Sequence, residues 1–132
     1  MRSTLSEWLK TQGTEMVSDR GLELPAVFSD PEKEYLRIKE SSGVMDLSFR
    51  TQLRLTGDDR LNFLQGMLSN DVKALDSGDG CHATLLNDQG RIVADLRVYV
   101  EESAVYLDVD RRIKDKTITA LERFLIHFTS GR

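Results

Sequence analysis

The stretch that decides the fold is "LLNDQGRIVADLRVYV", Leu85 to Val100. Apolar runs rich in Leu, Ile and Val flank the turn-forming cluster Asn-Asp-Gln-Gly at 87–90, so the stretch reads as a β-hairpin. Successive strand side chains point to opposite faces. In the second arm Ile92, Ala94, Leu96, Val98 and Val100 share one face, a core stripe, and Arg91, Val93, Asp95, Arg97 and Tyr99 share the other. Asp95 is the anomaly. Aspartate is a poor strand former, because its short carboxylate competes for backbone hydrogen bonds. Two readings stay open on spacing alone. The face is a solvated one, with Asp95 weakly paired to Arg97 or to a cross-strand cation, or Asp95 is a carboxylate on the floor of a ligand groove.

Working outward, "SGDG" (77–80) turns into the strand "CHATLLN", and "EES" (101–103) turns into "AVYLDVD". "GVMDLSFRTQLRLTG" predicts a strand, with Leu53 and Leu55 alternating against Gln52, Arg54 and Thr56. In "GDDRLNFLQGMLSND", Leu61, Leu64 and Leu68 recur at helical spacing behind an Asp58 cap. The last helix starts at Asp110, with Ile113, Thr117, Ala120, Leu121, Phe124 and Phe128 along one side. Nearer the N-terminus, "TLSEWLKTQG" offers Thr4 as N-cap and Glu7 at the capping-box position, ending near Gly13. "EMVSDRGLELPAVF" gives two short extended pieces around a turn at Asp19–Gly21. "SDPEKEYLRIKESSG" is a helix with Asp30 as N-cap, Pro31 in the first turn and Gly43 beyond its end. Hairpins without a regular βαβ repeat predict an α+β fold, a mainly antiparallel sheet with helices packed on one face. The expected core is Leu61, Leu64, Leu68, Ile92, Leu96, Val98, Leu121 and Phe124.

At 132 residues and 39% hydrophobic, the chain is expected to form a single domain, 1–132. Within it, 1–40 holds the first helix, the short strands and the second helix, and 41–128 the remaining α+β unit. No apolar run approaches the roughly 20 residues of a membrane span, and "MRSTLSEWLK" lacks the apolar core of a secretory signal. A net charge of −4 gives no general attraction for nucleic acid, and "RRIKDK" is a mixed-sign helix start rather than a basic patch. The lone cysteine, Cys81, excludes an intramolecular disulfide and suits a reducing compartment, so the cytoplasm is the expected location. With only Cys81, His82 and His127 as soft ligands, no Cys/His metal site is expected. Cys81 reads as a small packed residue, Trp8 and Tyr99 as packing residues before stacking platforms, and His127 has no assigned role.

Four pieces in order carry a family resemblance: "GVMDLS" (43–48), "LRLTGD" (53–58), "FLQGMLSNDV" (63–72) and "LLNDQGRIVADLRVY" (85–99). Together, over about Ser41 to Leu125, they resemble the start of the glycine-cleavage T-protein superfamily, tetrahydrofolate-dependent aminomethyltransferases and their relatives. The chain is more similar to the folate-binding YgfZ-type branch in three places. Arg91 follows Gly90, Ala94 stands where the first of paired aspartates is usual, and "LSFR" (47–50) replaces the T-protein "SHM". The lysine-glycine-cysteine-tyrosine signature of that branch is not in this chain, and Cys81 in "DGCHAT" is not its cysteine.

The resemblance implies one subdomain of the aminomethyltransferase folate-binding domain. It implies tetrahydrofolate or a derivative as cofactor, no metal, and Asp95 at the position of the catalytic aspartate. His82, thirteen residues earlier, falls where the superfamily has a pocket tyrosine, and Val93 and Tyr99 share the face. Asp95 would then give general-base help and stabilise a cationic centre. Opposite charges about 4 Å apart are worth about 4 kcal/mol at an effective dielectric near 20, enough to offset a strand penalty below about 1 kcal/mol.

Three functions follow from the resemblance: a folate-dependent aminomethyl or one-carbon transferase, a non-catalytic YgfZ-type folate-binding protein serving iron–sulfur enzymes, and an inactive truncated fragment. Relatives close their site with a second, similar subdomain. One copy alone implies a homodimer, with exchange of the segment Glu15–Phe28 as the simplest route.

Overall fold

The computed structural model describes residues 4–19 and 21–128. The side chains of Thr4, Leu22 and residues 125–128 fall outside that description, and with them the expected Thr4 cap and the positions of His127 and Phe128. Two compact units are present, 1–49 and 50–132.

The first unit contains α1 (Thr4–Thr11), the strands β1 (Met16–Asp19) and β2 (Leu22–Pro25), and α2 (Pro31–Glu40). β1 and β2 pair antiparallel, with Asp19 opposite Leu22, and Gly21 takes a left-handed φ of 84°. Ser6 Oγ donates to the Glu23 carbonyl at 3.2 Å and Lys10 Nζ sits 2.8 Å from Glu23 Oε1, tying α1 to β2. α2 begins as its sequence dictates: Asp30 accepts from Lys33 N at 3.1 Å, and Pro31 occupies the first turn. Residues 43–49 correct an expectation, because they form no strand. Asp46 accepts from Ser48 N at 2.8 Å, a local turn that takes the backbone away from a ladder. Gly43 packs on Ile38 so closely that a Cβ would lie 2.6 Å from its Cγ1.

The second unit is a four-stranded antiparallel sheet in the order β3 (Arg50–Leu55), β6 (Val105–Asp110), β5 (Ile92–Val100), β4 (Gly80–Leu86). α3 (Arg60–Met67) and α4 (Lys114–Phe128) supply Phe63, Leu64 and Leu121 to a core completed by inward strand residues such as Leu85, Leu96, Val98 and Leu107. Each such side chain contributes about 1.5–3 kcal/mol by leaving water. The α+β reading holds. The N-cap of α3 is Asp59 rather than Asp58, and its side chain makes no capping bond. Asp110 precedes a 3-10 turn (Arg111–Ile113) that runs into α4, and it accepts from Arg112 N at 2.8 Å. Leu64, Leu68, Leu96, Val98 and Leu121 are buried as expected and Leu61 is half-buried, but Phe124 is 39% exposed and Ile92 65% exposed.

The Ile92 discrepancy has a defined cause. Leu85 pairs with Ala94 and Leu86 with Ile92, so Val93 is an extra residue, a β-bulge. Strict alternation breaks there. Ile92 joins Leu86 on the outer face, and Val93 turns in, half-buried against the core.

Candidate functional site

The hairpin that carries Asp95 is fixed at its turn by Asn87. Its Oδ1 accepts from Gln89 N at 3.0 Å and Arg91 N at 2.9 Å, its own N–H donates to the Arg91 carbonyl at 2.9 Å, and Gly90 takes a left-handed φ of 73°. At the other end of β4, Gly80 lies beneath Tyr99. A Cβ there would sit 2.7 Å from the Val98 carbonyl oxygen and 3.1 Å from the Tyr99 ring. Between these fixed ends, β5 presents Asp95, Arg97 and Tyr99 on the face opposite the core.

Register then assembles the face. Arg97 pairs with His82 on β4 and with Asp108 on β6, and Asp108 pairs with Gln52 on β3, giving a polar row across all four strands. Tyr99 and Tyr106 pair in the next row, with Arg54 opposite Tyr106. His82 Nε2 lies 2.7 Å from Asp95 Oδ1, a diagonal contact with the two side chains 62% and 68% exposed. Of the partners open to Asp95 in the sequence, the structure selects the cross-strand histidine, not Arg97. Asn70 Nδ2 donates to the His82 carbonyl at 2.9 Å, and Ser69 Oγ lies 2.9 Å from both the N–H and the hydroxyl of Thr84, which braces β4 from the loop after α3.

On the β6 side, Arg50 Nε donates to both Asp108 oxygens at 3.0 and 2.9 Å, and its Nη2 donates to the Asp108 carbonyl at 2.7 Å. Asp108 is buried. The Arg112 guanidinium hydrogen-bonded to Asp110 holds that carboxyl below the usual carboxylate range. Burial pushes the Cys81 thiol up, which suits its half-buried packing position.

Of the four expected ligand residues, His82, Asp95 and Tyr99 share the open face, and His82 touches Asp95. Val93 does not belong there, because the bulge turns it toward the core. Sequence reading missed Asn70, Ser69, Arg50 and Asp108; only the register of a formed sheet brings them to β4 and β6. A cavity of about 360 Å³ lies at one end of the face, lined by Gln52, Gly78, Asp79, Tyr99, Glu101 and Tyr106. Another, of about 420 Å³, is lined on the helix side by Phe63, Met67, Leu68 and Phe124 and at its rim by Leu86, Asn87 and Asp88 at the end of β4. His82 and Asp95 line neither. They stand on an open surface. Among the described residues no group of three or more His, Cys, Asp and Glu could hold a metal ion, and no helix is long and apolar enough to cross a membrane.

A family model described as the GCVT N-terminal domain matches residues 5–126. The chain is 32% identical over 106 residues to an aminomethyltransferase of Bacillus licheniformis, covering 80% of this chain and 29% of that protein. It is 36% identical over 99 residues to an aminomethyltransferase of a Synechococcus species, covering 75% and 27%. A mitochondrial aminomethyltransferase of Dictyostelium discoideum is 29% identical over 130 residues, 98% of this chain and 32% of that one. The crystal structure of glycine cleavage system aminomethyltransferase T from Bartonella henselae superposes with a TM-score of 0.75 over 90% of this chain and 34% of that one, at 22% identity, and shares the fold. The chain thus spans about a third of the length of these relatives. A sheet whose one face is helix-covered and whose other carries Asp95, matched over nearly its whole sequence, belongs to the GCVT N-terminal domain family of the glycine cleavage T-protein superfamily.

Proposed function

We propose that this chain is the folate-facing part of an aminomethyltransferase, binding a reduced folate over the open face of β4 and β5. The observation that carries the reading is Asp95, which stands mid-strand on the exposed face with its carboxylate held by His82 at 2.7 Å. Such a placement has a strand-propensity cost and no core role, and the sequence resemblance implies that it is the position of the superfamily's catalytic aspartate. Reduced folate supplies a ring nitrogen and a neighbouring exocyclic nitrogen that accept a one-carbon unit. Asp95 has a free Oδ2 to take a proton or a hydrogen bond from such a group, and His82 fixes the rotamer that presents it. Tyr99 adds an exposed ring beside it. The fit is partial: within the second unit's described residues the face has hydrogen-bonding groups, but Asp95 lines neither of its two cavities. Calorimetric titration of the purified chain with tetrahydrofolate and 5-formyltetrahydrofolate tests the reading, with Asp95→Asn as control; absence of heat with both ligands would end it.

A homodimer belongs to the same proposal, because an open face gains walls from a second copy. In the first unit Trp8, Phe28, Val44 and Met45 are exposed apolar side chains, and a cavity of about 550 Å³ opens among them. The segment Glu15–Phe28 carries the β1–β2 hairpin that would exchange. Sedimentation equilibrium at micromolar concentration decides it, and a mass near 15.0 kDa excludes the dimer. The half-buried thiol of Cys81 fits a cytoplasmic setting.

A second reading is the non-catalytic YgfZ-type folate binder, and Arg50 favours it. This residue stands where T-proteins have "SHM", and its guanidinium is committed to Asp108 rather than to the site. Ala94 carries no weight either way, since it is buried on the core face and not beside Asp95. Folate binding without aminomethyl transfer selects this second reading.

A further inference from the structure

We infer that Arg97 is the anion-binding residue of this face, taking a carboxylate of the same ligand whose proton-donating part meets Asp95; the inference rests on the folate reading. Arg97 occupies the middle of the polar row, paired in register with His82 on one side and Asp108 on the other. Both neighbours are already committed. His82 Nε2 is 2.7 Å from Asp95 Oδ1, and Asp108 has each carboxylate oxygen within 3.0 Å of Arg50 Nε. Asp95 is two residues away on the same strand, about 6.6 Å along it, but its carboxylate is drawn toward β4 by His82. The Arg97 side chain makes no hydrogen bond or ion pair with any described residue and is exposed.

Within the row His82, Arg97, Asp108 and Gln52, the charges are therefore compensated except at Arg97, whose planar guanidinium suits bidentate capture of a carboxylate; Arg54, the other exposed arginine of the face, lies one row further from Asp95. The ligand class this selects is amphoteric: a hydrogen-bonding heterocycle for Asp95 joined to a carboxylate arm for Arg97. Reduced folates have that construction, and their two halves can be offered separately.

The experiment titrates the full chain with tetrahydrofolate, with 6-methyltetrahydropterin (heterocycle, no carboxylate) and with p-aminobenzoylglutamate (carboxylate arm alone), reading heat and the NMR signal of Arg97 Nε–H. Tetrahydrofolate is expected to bind about three- to tenfold tighter than 6-methyltetrahydropterin, the range of an exposed ion pair strengthened by hydrogen bonds. Arg97→Gln should bring that ratio to about one, with partial recovery in Arg97→Lys. p-Aminobenzoylglutamate should shift the Arg97 signal. A ratio near one in the parent protein or a ratio intact in Arg97→Gln marks Arg97 as a solvated surface residue only, and a loss shared equally by both ligands marks its effect as unrelated to the carboxylate; each overturns the inference. If 6-methyltetrahydropterin does not bind while p-aminobenzoylglutamate still shifts Arg97, the pterin reading falls and the anion site stands.

Discussion

Arg50, the first residue of β3, holds Asp108 of β6 through Nε at 3.0 and 2.9 Å from the two carboxylate oxygens, although the residue paired with Asp108 across the ladder is Gln52. The contact is diagonal and shields a carboxylate whose side chain is only 13% exposed. Asp108→Ala strands the guanidinium and is expected to cost about 2–3 kcal/mol in urea unfolding, somewhat below a fully buried pair. The double change Arg50→Met, Asp108→Leu should cost less than the sum of the single changes. An additive double mutant would show that the two side chains do not act as a pair.

Leu64 and Phe124 separate two kinds of apolar position. Leu64 is fully buried, so Leu64→Ala should lose about 3–5 kcal/mol through transfer and cavity effects. Phe124 is half-open on the wall of the helix-side cavity, and its truncation should lose about 1 kcal/mol or less. Equal losses at the two sites would mean that Phe124 is covered in solution.

Asp95→Asn is expected to weaken reduced-folate binding while shifting stability by no more than about 0.5 kcal/mol, because the His82–Asp95 pair is exposed. Calorimetry and thermal melts on the same samples read both numbers. A collapse of the fold would assign Asp95 a structural role instead.

The depressed carboxyl of Asp110 sets the sign of a pH effect. A group whose folded value lies below its unfolded one contributes stability that is full above the unfolded value, near pH 4, and fades as pH falls through the folded value. The advantage of the parent protein over Asp110→Asn should therefore be constant at neutral pH and shrink on acidification below about pH 4. Urea midpoints for both proteins across that range check it; an advantage that grows with acid would contradict the sign.

Much of the fold was legible because local chemistry and global packing agree. Asp30-Pro31 starts α2, Asn87 and Gly90 close the hairpin, and the Ala94–Val100 alternation faces the core. Residues 43–49 misled, since a period-two pattern alone does not provide a partner strand, and Asp46 forms a turn with Ser48 instead. Asp95 was legible as an outward carboxylate, but its partner was not. His82 is thirteen positions away in sequence, and only the register of β4 on β5 brings the two together. Asn70 and Arg50 were invisible for the same reason: their contacts belong to the assembled sheet and not to any segment.

The bulge at Val93 also governs which insertions and deletions the hairpin tolerates. Loss of one residue at 91–93 can be absorbed by ironing out the bulge, so that Leu86 faces its neighbour in plain alternation and Asp95 keeps its orientation. Loss of one residue between 96 and 99 has no such slack: the rest of β5 would invert, sending Arg97 or Tyr99 inward and leucine or valine outward. The extra residue works as a spacer at the loop end of the strand, isolating the parity of the functional face from length changes in the turn.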